Sequence, residues 1–258
     1  MRQDLDPSLY ETSLIDALIE ARARFGDKEI LEDQDRHPLT YTGLIRAAFV
    51  LGRKIAKMTE LGERVAILLP SSMGVVVTFF GLHAHGRVPV MLNFTAGEAN
   101  LKAAIKASGV KKVLTAKRFI DQAKLDDLIV ELKTVAEVVW LDDVRKTIGL
   151  ADKLYGLAAG AAPKRFRVKT DPDAPGVVLF TSGSFGAPRG VVLSHANLVS
   201  NVRQIEAHVL HLQFVALQLH VDGRRALFVF AHGLAEAQQT VASGAPCREL
   251  GIGGDEPA

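Results

Sequence analysis

From Arg64 to Leu141 short apolar runs take turns with helical segments, and that rhythm restricts the chain's possible folds more than any other feature. Arg64–Leu69 (RVAILL) is apolar without alternation, the pattern of a strand covered on both faces. Ser71 or Ser72 is placed to cap the next helix, and Gly86 to end it. Val88–Leu92 reads as a second strand. Thr95-Ala-Gly-Glu98 has capping-box spacing ahead of Leu101, Ala104 and Ile105, with Gly109 as the stop. Lys112–Thr115 is a third strand, followed by a helix over about 121–133 and a strand at Glu137–Leu141. Strand–helix alternation of this kind predicts an α/β fold with a mostly parallel sheet flanked by helices.

Two amphipathic helices precede it. Leu14, Leu18, Ala21 and Phe25 recur at helical spacing before Gly26, and Leu44, Ala48, Leu51, Ile55 and Met58 do the same. Val65–Gly86 is 22 residues without Asp, Glu, Lys or Arg, long enough to span a membrane. Pro70-Ser71-Ser72 interrupts it, and His83 and His85 sit near its end, so a buried strand followed by a helix is the better reading.

With 258 residues, 48% hydrophobic and 23% charged, the chain is globular in composition and sized for one large domain or two small ones. A net charge of +2 gives no support to nucleic-acid binding. The single cysteine, Cys247, excludes an internal disulfide framework and points to a reducing compartment. The N-terminal residues carry acids and no apolar leader, so a cytoplasmic location is expected. Residues 160–176 are rich in Pro, Gly and charge and read as a surface linker. Its basic residues Lys164, Arg165, Arg167 and Lys169 suit a solvated loop, or contact with a lipid surface or an acidic partner.

The chemistry concentrates further on. Val177–Phe180 is strand-like and runs into Thr181-Ser182-Gly183-Ser184-Phe185-Gly186-Ala187-Pro188-Arg189-Gly190. A second apolar run, Val191–Leu193, follows, and Ser194 is placed to cap a helix from about His195 to His208. The glycines let backbone N–H groups approach an anion, Thr181, Ser182 and Ser184 add hydroxyls, and Arg189 adds a forked, permanent cation suited to phosphate. The spacing is neither that of a P-loop nor that of a dinucleotide fingerprint.

Leu179–His195 closely resembles the phosphate-loop signature of the adenylate-forming ligases, T-S-G-[ST]-x-G-x-P-K-G. That family includes acyl-CoA synthetases, luciferases and peptide-synthetase adenylation domains. Leu31-Glu-Asp-Gln-Asp, Leu39-Thr-Tyr, Gly86–Gly97, Lys124-Leu-Asp-Asp-Leu and Leu150-Ala-Asp-Lys-Leu154 resemble one branch. It is the acyl-acyl-carrier-protein synthetase half of the bifunctional 2-acylglycerophosphoethanolamine acyltransferases. The resemblance covers about residues 10–208. It implies ATP-dependent activation of a long-chain fatty acid as acyl-adenylate, transfer to acyl carrier protein, and a place in lysophospholipid reacylation. Thr181, Ser182, Gly183, Ser184, Gly186, Arg189 and Gly190 are implied to line the triphosphate of ATP, with Mg²⁺ as a second cofactor. Peripheral membrane contact is likewise implied.

Two positions depart from that pattern: Phe185 stands where this branch has Glu, and Arg189 where the family has Lys. The family's later motifs (Tyr-Gly-x-Thr-Glu, Thr-Gly-Asp and a lid lysine) do not occur in these 258 residues, and no His is followed five positions on by Asp. The expectation is therefore an incomplete ligase fold. Residues 1–209 would be the N-terminal part of the AMP-binding domain, and 210–258 a divergent, frameshifted or poorly ordered tail. A separate chain would carry the C-terminal half, or the protein would be a non-catalytic nucleotide-binding remnant or interaction module.

Other conspicuous side chains carry bland readings. His83 and His85 fall on opposite sides of a helix and do not suit a shared metal. His208 and His211 read as surface helix, and Trp140 as core. Cys247 has no recognisable partner histidine, and Phe230–Leu234 is a faint echo of a family acyl-pocket segment.

Overall fold

The computed structural model describes residues 10–32, 38–181, 189–215 and 248–249. The first helix, α1 (Leu14–Phe25), starts where Ser13 Oγ accepts the Asp16 N–H, and Gly26 ends it at φ 77°. A short antiparallel hairpin, β1 (Glu29–Glu32) with β2 (Pro38–Thr40), leads into α2 (Tyr41–Ala56). Thr40 Oγ1 accepts the Gly43 N–H and so caps α2.

Strand and helix then alternate as the apolar runs require. They are β3 (Arg64–Ile67), α3 (Met73–Ala84), β4 (Val88–Met91), α4 (Glu98–Ser108), β5 (Lys112–Thr115), α5 (Lys117–Ala123), α6 (Asp126–Leu132) and β6 (Glu137–Trp140). Next come α7 (Leu141–Lys146), α8 (Leu150–Ala161), α9 (Pro163–Phe166), β7 (Pro175–Thr181), β8 (Arg189–Ser194), α10 (His195–Val215) and the two-residue β9 (Arg248–Glu249). The uncharged stretch Val65–Gly86 is thus a strand and a helix. Among the described residues no helix is long and apolar enough to cross a membrane.

The main sheet has the order β6-β5-β3-β4-β7-β8-β9. The ladders β5–β6, β3–β5, β3–β4 and β4–β7 are parallel, and β7–β8 and β8–β9 antiparallel. The chain steps one way from β3 to β4, then back past β3 to β5 and on to β6. Right-handed crossovers in opposite directions place the connecting helices on opposite faces. The core divides accordingly. Val65, Ile67, Leu114, Val177 and Leu179 pack with α1, α2 and α3. Their strand neighbours Ala66, Leu68, Val113 and Val178 pack with α4, α5 and α6.

Four local expectations are corrected. Thr95 does not cap α4: Asn93 Oδ1 accepts both the Thr95 N–H (3.0 Å) and its hydroxyl (2.8 Å), drawing Phe94–Ala96 into a 3₁₀ turn and leaving Gly97 at the N-cap. Ser72 takes the N-cap position of α3, but its hydroxyl donates to the Pro70 carbonyl and caps nothing. The helix expected over 121–133 is broken by Lys124 at φ 54°. The Lys124 and Leu125 N–H groups bond back to the Asp121 and Ile120 carbonyls, the Schellman pattern. The expected linker at 160–176 is largely fixed. The end of α8 and α9 occupy its first part, Arg167 pairs with Asp16 on α1, and the Val168 N–H donates to the Ala84 carbonyl at 2.9 Å.

Candidate functional site

The five parallel strands all end at one edge of the sheet, and the Gly/Ser-rich segment leaves from that edge at the end of β7. Thr181, the last residue of β7, and Arg189, the first of β8, are Cα partners across the antiparallel ladder, and Phe180 pairs with Gly190. The segment between them is therefore closed at its base by strand pairing. Arg189 is exposed, and among the described residues no carboxylate pairs with it. Gly190 is buried. Of the residues expected to line a triphosphate, Thr181, Arg189 and Gly190 are brought together. Ser182, Gly183, Ser184 and Gly186 lie outside the described residues, as does Phe185.

The neighbouring strand contributes what the sequence alone did not single out. Val90 on β4 pairs with Val178 on β7. β4 ends at Met91 and β7 at Thr181 on the same edge, so the Asn93–Thr95 turn follows β4 on the edge from which the loop leaves. That shared edge rests on a pairing between strands far apart in sequence, which no local pattern signals.

β8 is anchored behind the loop by a reciprocal cap. Ser194 Oγ accepts the Asn197 N–H and Asn197 Oδ1 accepts the Ser194 N–H, both at 3.1 Å, so α10 begins at His195 as expected. His195 is 2% exposed, and its Nδ1 accepts the Leu14 N–H at 3.2 Å. Gly176 makes room for this turn: a Cβ there would lie 3.0 Å from the His195 nitrogen. The His195 ring lies 4.9 Å from that of His83, which is 1% exposed and whose Nε2 makes no hydrogen bond among the described residues. Burial pushes the His195 pKa down to about 4, against the pull of Asp16 and Asp171. Burial, then the neighbouring His195, hold His83 well below the usual imidazole range. Both rings are neutral at pH 7.

His85 is part-buried, with Nε2 3.2 Å from the Phe49 carbonyl. Among the described residues no group of three or more His, Cys, Asp or Glu is arranged to hold a metal. Trp140 is half-buried, with the Lys117 ammonium 5.9 Å from its ring centre. Cys247, the segment Phe230–Leu234 and the side chains of His208 and His211 lie outside the described residues.

A family model described as AMP-binding enzyme matches residues 18–248. The chain belongs to the AMP-binding enzyme family. Family members similar to it include a 4-coumarate–CoA ligase of Oryza sativa subsp. japonica, 31% identical over 55% of this chain and 26% of that protein. A medium-chain-fatty-acid–[acyl-carrier-protein] ligase of Teredinibacter turnerae is 24% identical over 69% of this chain and 32% of that protein. Across eight of the curated relatives it matches, the chain spans 26% to 38% of their length. Among solved structures, VinN superposes with a TM-score of 0.62 at 24% identity, covering 79% of this chain and 50% of that one. The N-terminal subdomain of Klebsiella oxytoca NpsA does so with 0.56 at 19% identity, covering 75% and 44%. The α/β architecture is thus that of the N-terminal subdomain of adenylate-forming ligases.

Proposed function

We propose that the loop between β7 and β8 binds the triphosphate of ATP, and that the chain serves ATP-dependent activation of a fatty acid as acyl-adenylate for transfer to acyl carrier protein. The observation that carries this reading is the Thr181–Arg189 pairing, at the carboxyl edge of a parallel sheet, with Arg189 exposed and paired with no carboxylate among the described residues. Ligands of open α/β sheets bind at that edge. A fork of N–H donors there suits phosphate oxygens. Mg²⁺, when bound, would offset the charge that develops on the leaving pyrophosphate. This chain's own part is to orient the triphosphate through Arg189, the Gly190 backbone and the hydroxyls of Thr181, Ser182 and Ser184.

The fatty acid and the carrier-protein acceptor are supported by the named activity of the Teredinibacter relative and by the branch resemblance of Gly86–Gly97 and Leu150–Leu154. Turnover is proposed for an assembly in which these 258 residues work with the family's adenine-, ribose- and lid-lysine motifs, in one polypeptide or two. A cytoplasmic site of action and a role in phospholipid reacylation belong to the same reading.

The test is a panel of acids (medium- and long-chain fatty acids beside 4-coumarate) with ATP and Mg²⁺, with acyl-adenylate detected by mass spectrometry. Fatty acyl-adenylates are expected in the assembly that includes those motifs. Coumaroyl-adenylate alone would overturn the fatty-acid assignment.

A further inference from the structure

The loop is carried by a hairpin whose own ladder is long and whose join to the rest of the sheet is short. β7 is laddered to β8 from Pro175–Ser194 to Thr181–Arg189, while its register with β4 is set at one pair, Val90–Val178. Along β8 successive side chains alternate between faces, so Arg189 shares a face with Val191 and Leu193, which are buried in the cluster formed with α1, α2 and α3. A slip of β8 by one residue would carry all three to the other face of the sheet. The place of Arg189 therefore depends on what holds the far end of β8.

His195 stands at that end, and three bonds converge on the turn it opens. Its N–H donates to the Ala174 carbonyl at 3.2 Å, and the Ala196 N–H to the Pro172 carbonyl at 2.8 Å. Both of these stay within the segment that leads into and out of the hairpin. The third reaches another layer, since His195 Nδ1 accepts the Leu14 N–H of α1 at 3.2 Å. Helix α1 is itself tied to the body of the fold, with Arg22 donating to the Gly160 carbonyl and Asp16 pairing with Arg167. The His83 ring of α3 lies edge-on against His195, with centroids 4.9 Å apart. A Cβ on Gly176 would come within 3.0 Å of the His195 nitrogen, so the turn has no slack on that side either.

We infer that His195 is a positioning residue for the phosphate loop: its Nδ1–Leu14 bond fixes β8 against α1 and thereby the place of Arg189 at the carboxyl edge. The inference rests on the reading of this loop as the triphosphate site. β8 is six residues long, roughly 20 Å at the rise of a strand, so His195 acts on the nucleotide only through the strand. The bond needs an acceptor at the δ position of the side chain. Asn places Oδ1 there, Gln carries its oxygen one bond further out, and Leu keeps bulk without an acceptor.

The test is titration of the 258-residue chain and of His195→Asn, His195→Gln and His195→Leu with ATP and Mg²⁺, beside amide hydrogen exchange at Leu14. His195→Asn is expected to bind within about twofold of the parent, with the Leu14 amide protected. His195→Gln and His195→Leu are expected to bind at least about fivefold more weakly, with that amide exchanging fast. Should His195→Leu fail to fold, the contrast between His195→Asn and His195→Gln carries the same reading. Gly52→Ala separates positioning from mere stability: it strains the α2–α3 crossing, where a Cβ would lie 2.2 Å from the Gly81 carbonyl oxygen, and leaves β8 untouched. It is expected to keep the parent's affinity for ATP while unfolding at lower urea. Parent-like affinity in His195→Gln and His195→Leu, an equal loss in Gly52→Ala, or a loss in His195→Asn with Leu14 still protected overturns the inference and leaves the triphosphate reading standing. Absence of ATP binding by the parent chain removes the triphosphate reading, and this inference with it.

Discussion

His195 Nδ1 accepts the backbone N–H of Leu14 at 3.2 Å, joining residues 181 positions apart. Leu14 is the first residue of α1, so its N–H is one of the donors a helix cannot satisfy within itself. The histidine that opens α10 thereby caps α1, and its Nδ1 must stay unprotonated to do so.

This contact sets a pH dependence. The unfolded His195 takes up its proton near pH 6.5, the folded one only near 4, because burial opposes the charge. His83 shifts in the same direction. Between these values the unfolded chain binds more protons, so stability is full above about 6.5 and falls as pH drops, by up to about 1.4 kcal/mol per pH unit for each histidine. Urea unfolding at pH 7.5, 6.0 and 5.0 measures it. A flat profile would show that the pair is not buried and neutral.

The crossing of α2 and α3 depends on Gly52 and Gly81. A Cβ on Gly52 would lie 2.2 Å from the Gly81 carbonyl oxygen, and backbone cannot swing aside as a side chain does. Gly52→Ala is expected to cost about 2–3 kcal/mol, read by chemical denaturation. Gly97→Ala meets nothing within 4 Å but holds φ 85° and ψ 155°, a region essentially reserved to glycine, so its cost is that of backbone strain alone, about 1–3 kcal/mol.

The reciprocal cap at α10 predicts coupling. Ser194→Ala and Asn197→Ala each remove one of two bonds between the same residues and are expected to cost about 1 kcal/mol. The double variant should cost less than the sum, and a double-mutant cycle measures the difference.

Much of this was legible locally. The stripes of α1 and α2 and the runs that became β3 to β8 follow from periodicity, and Gly26 and Gly109 stop helices as glycine should. What the sequence concealed is competition and distance. Thr95 had the spacing of a capping box, but Asn93 engaged both its donors first. Lys124 broke a continuous helical pattern by adopting a conformation that no lysine advertises. Residues 160–176 looked like a linker because Pro, Gly and charge dominate them, while Arg167 found Asp16 across 151 positions. The His83–His195 contact and the parallel pairing of β4 with β7 likewise exist only once the sheet is assembled. The candidate loop was legible as a motif, and the fold adds its closed base and its place on the sheet.

The most direct measurement is a calorimetric titration of the chain with ATP and Mg²⁺, run beside Arg189→Ala and Arg189→Lys. A triphosphate held at the β7–β8 loop predicts saturable binding, weakened about tenfold by Arg189→Ala and less by Arg189→Lys, which restores the charge without the fork. Absence of binding by the parent chain, or an affinity indifferent to both substitutions, would contradict the assignment of this loop to phosphate.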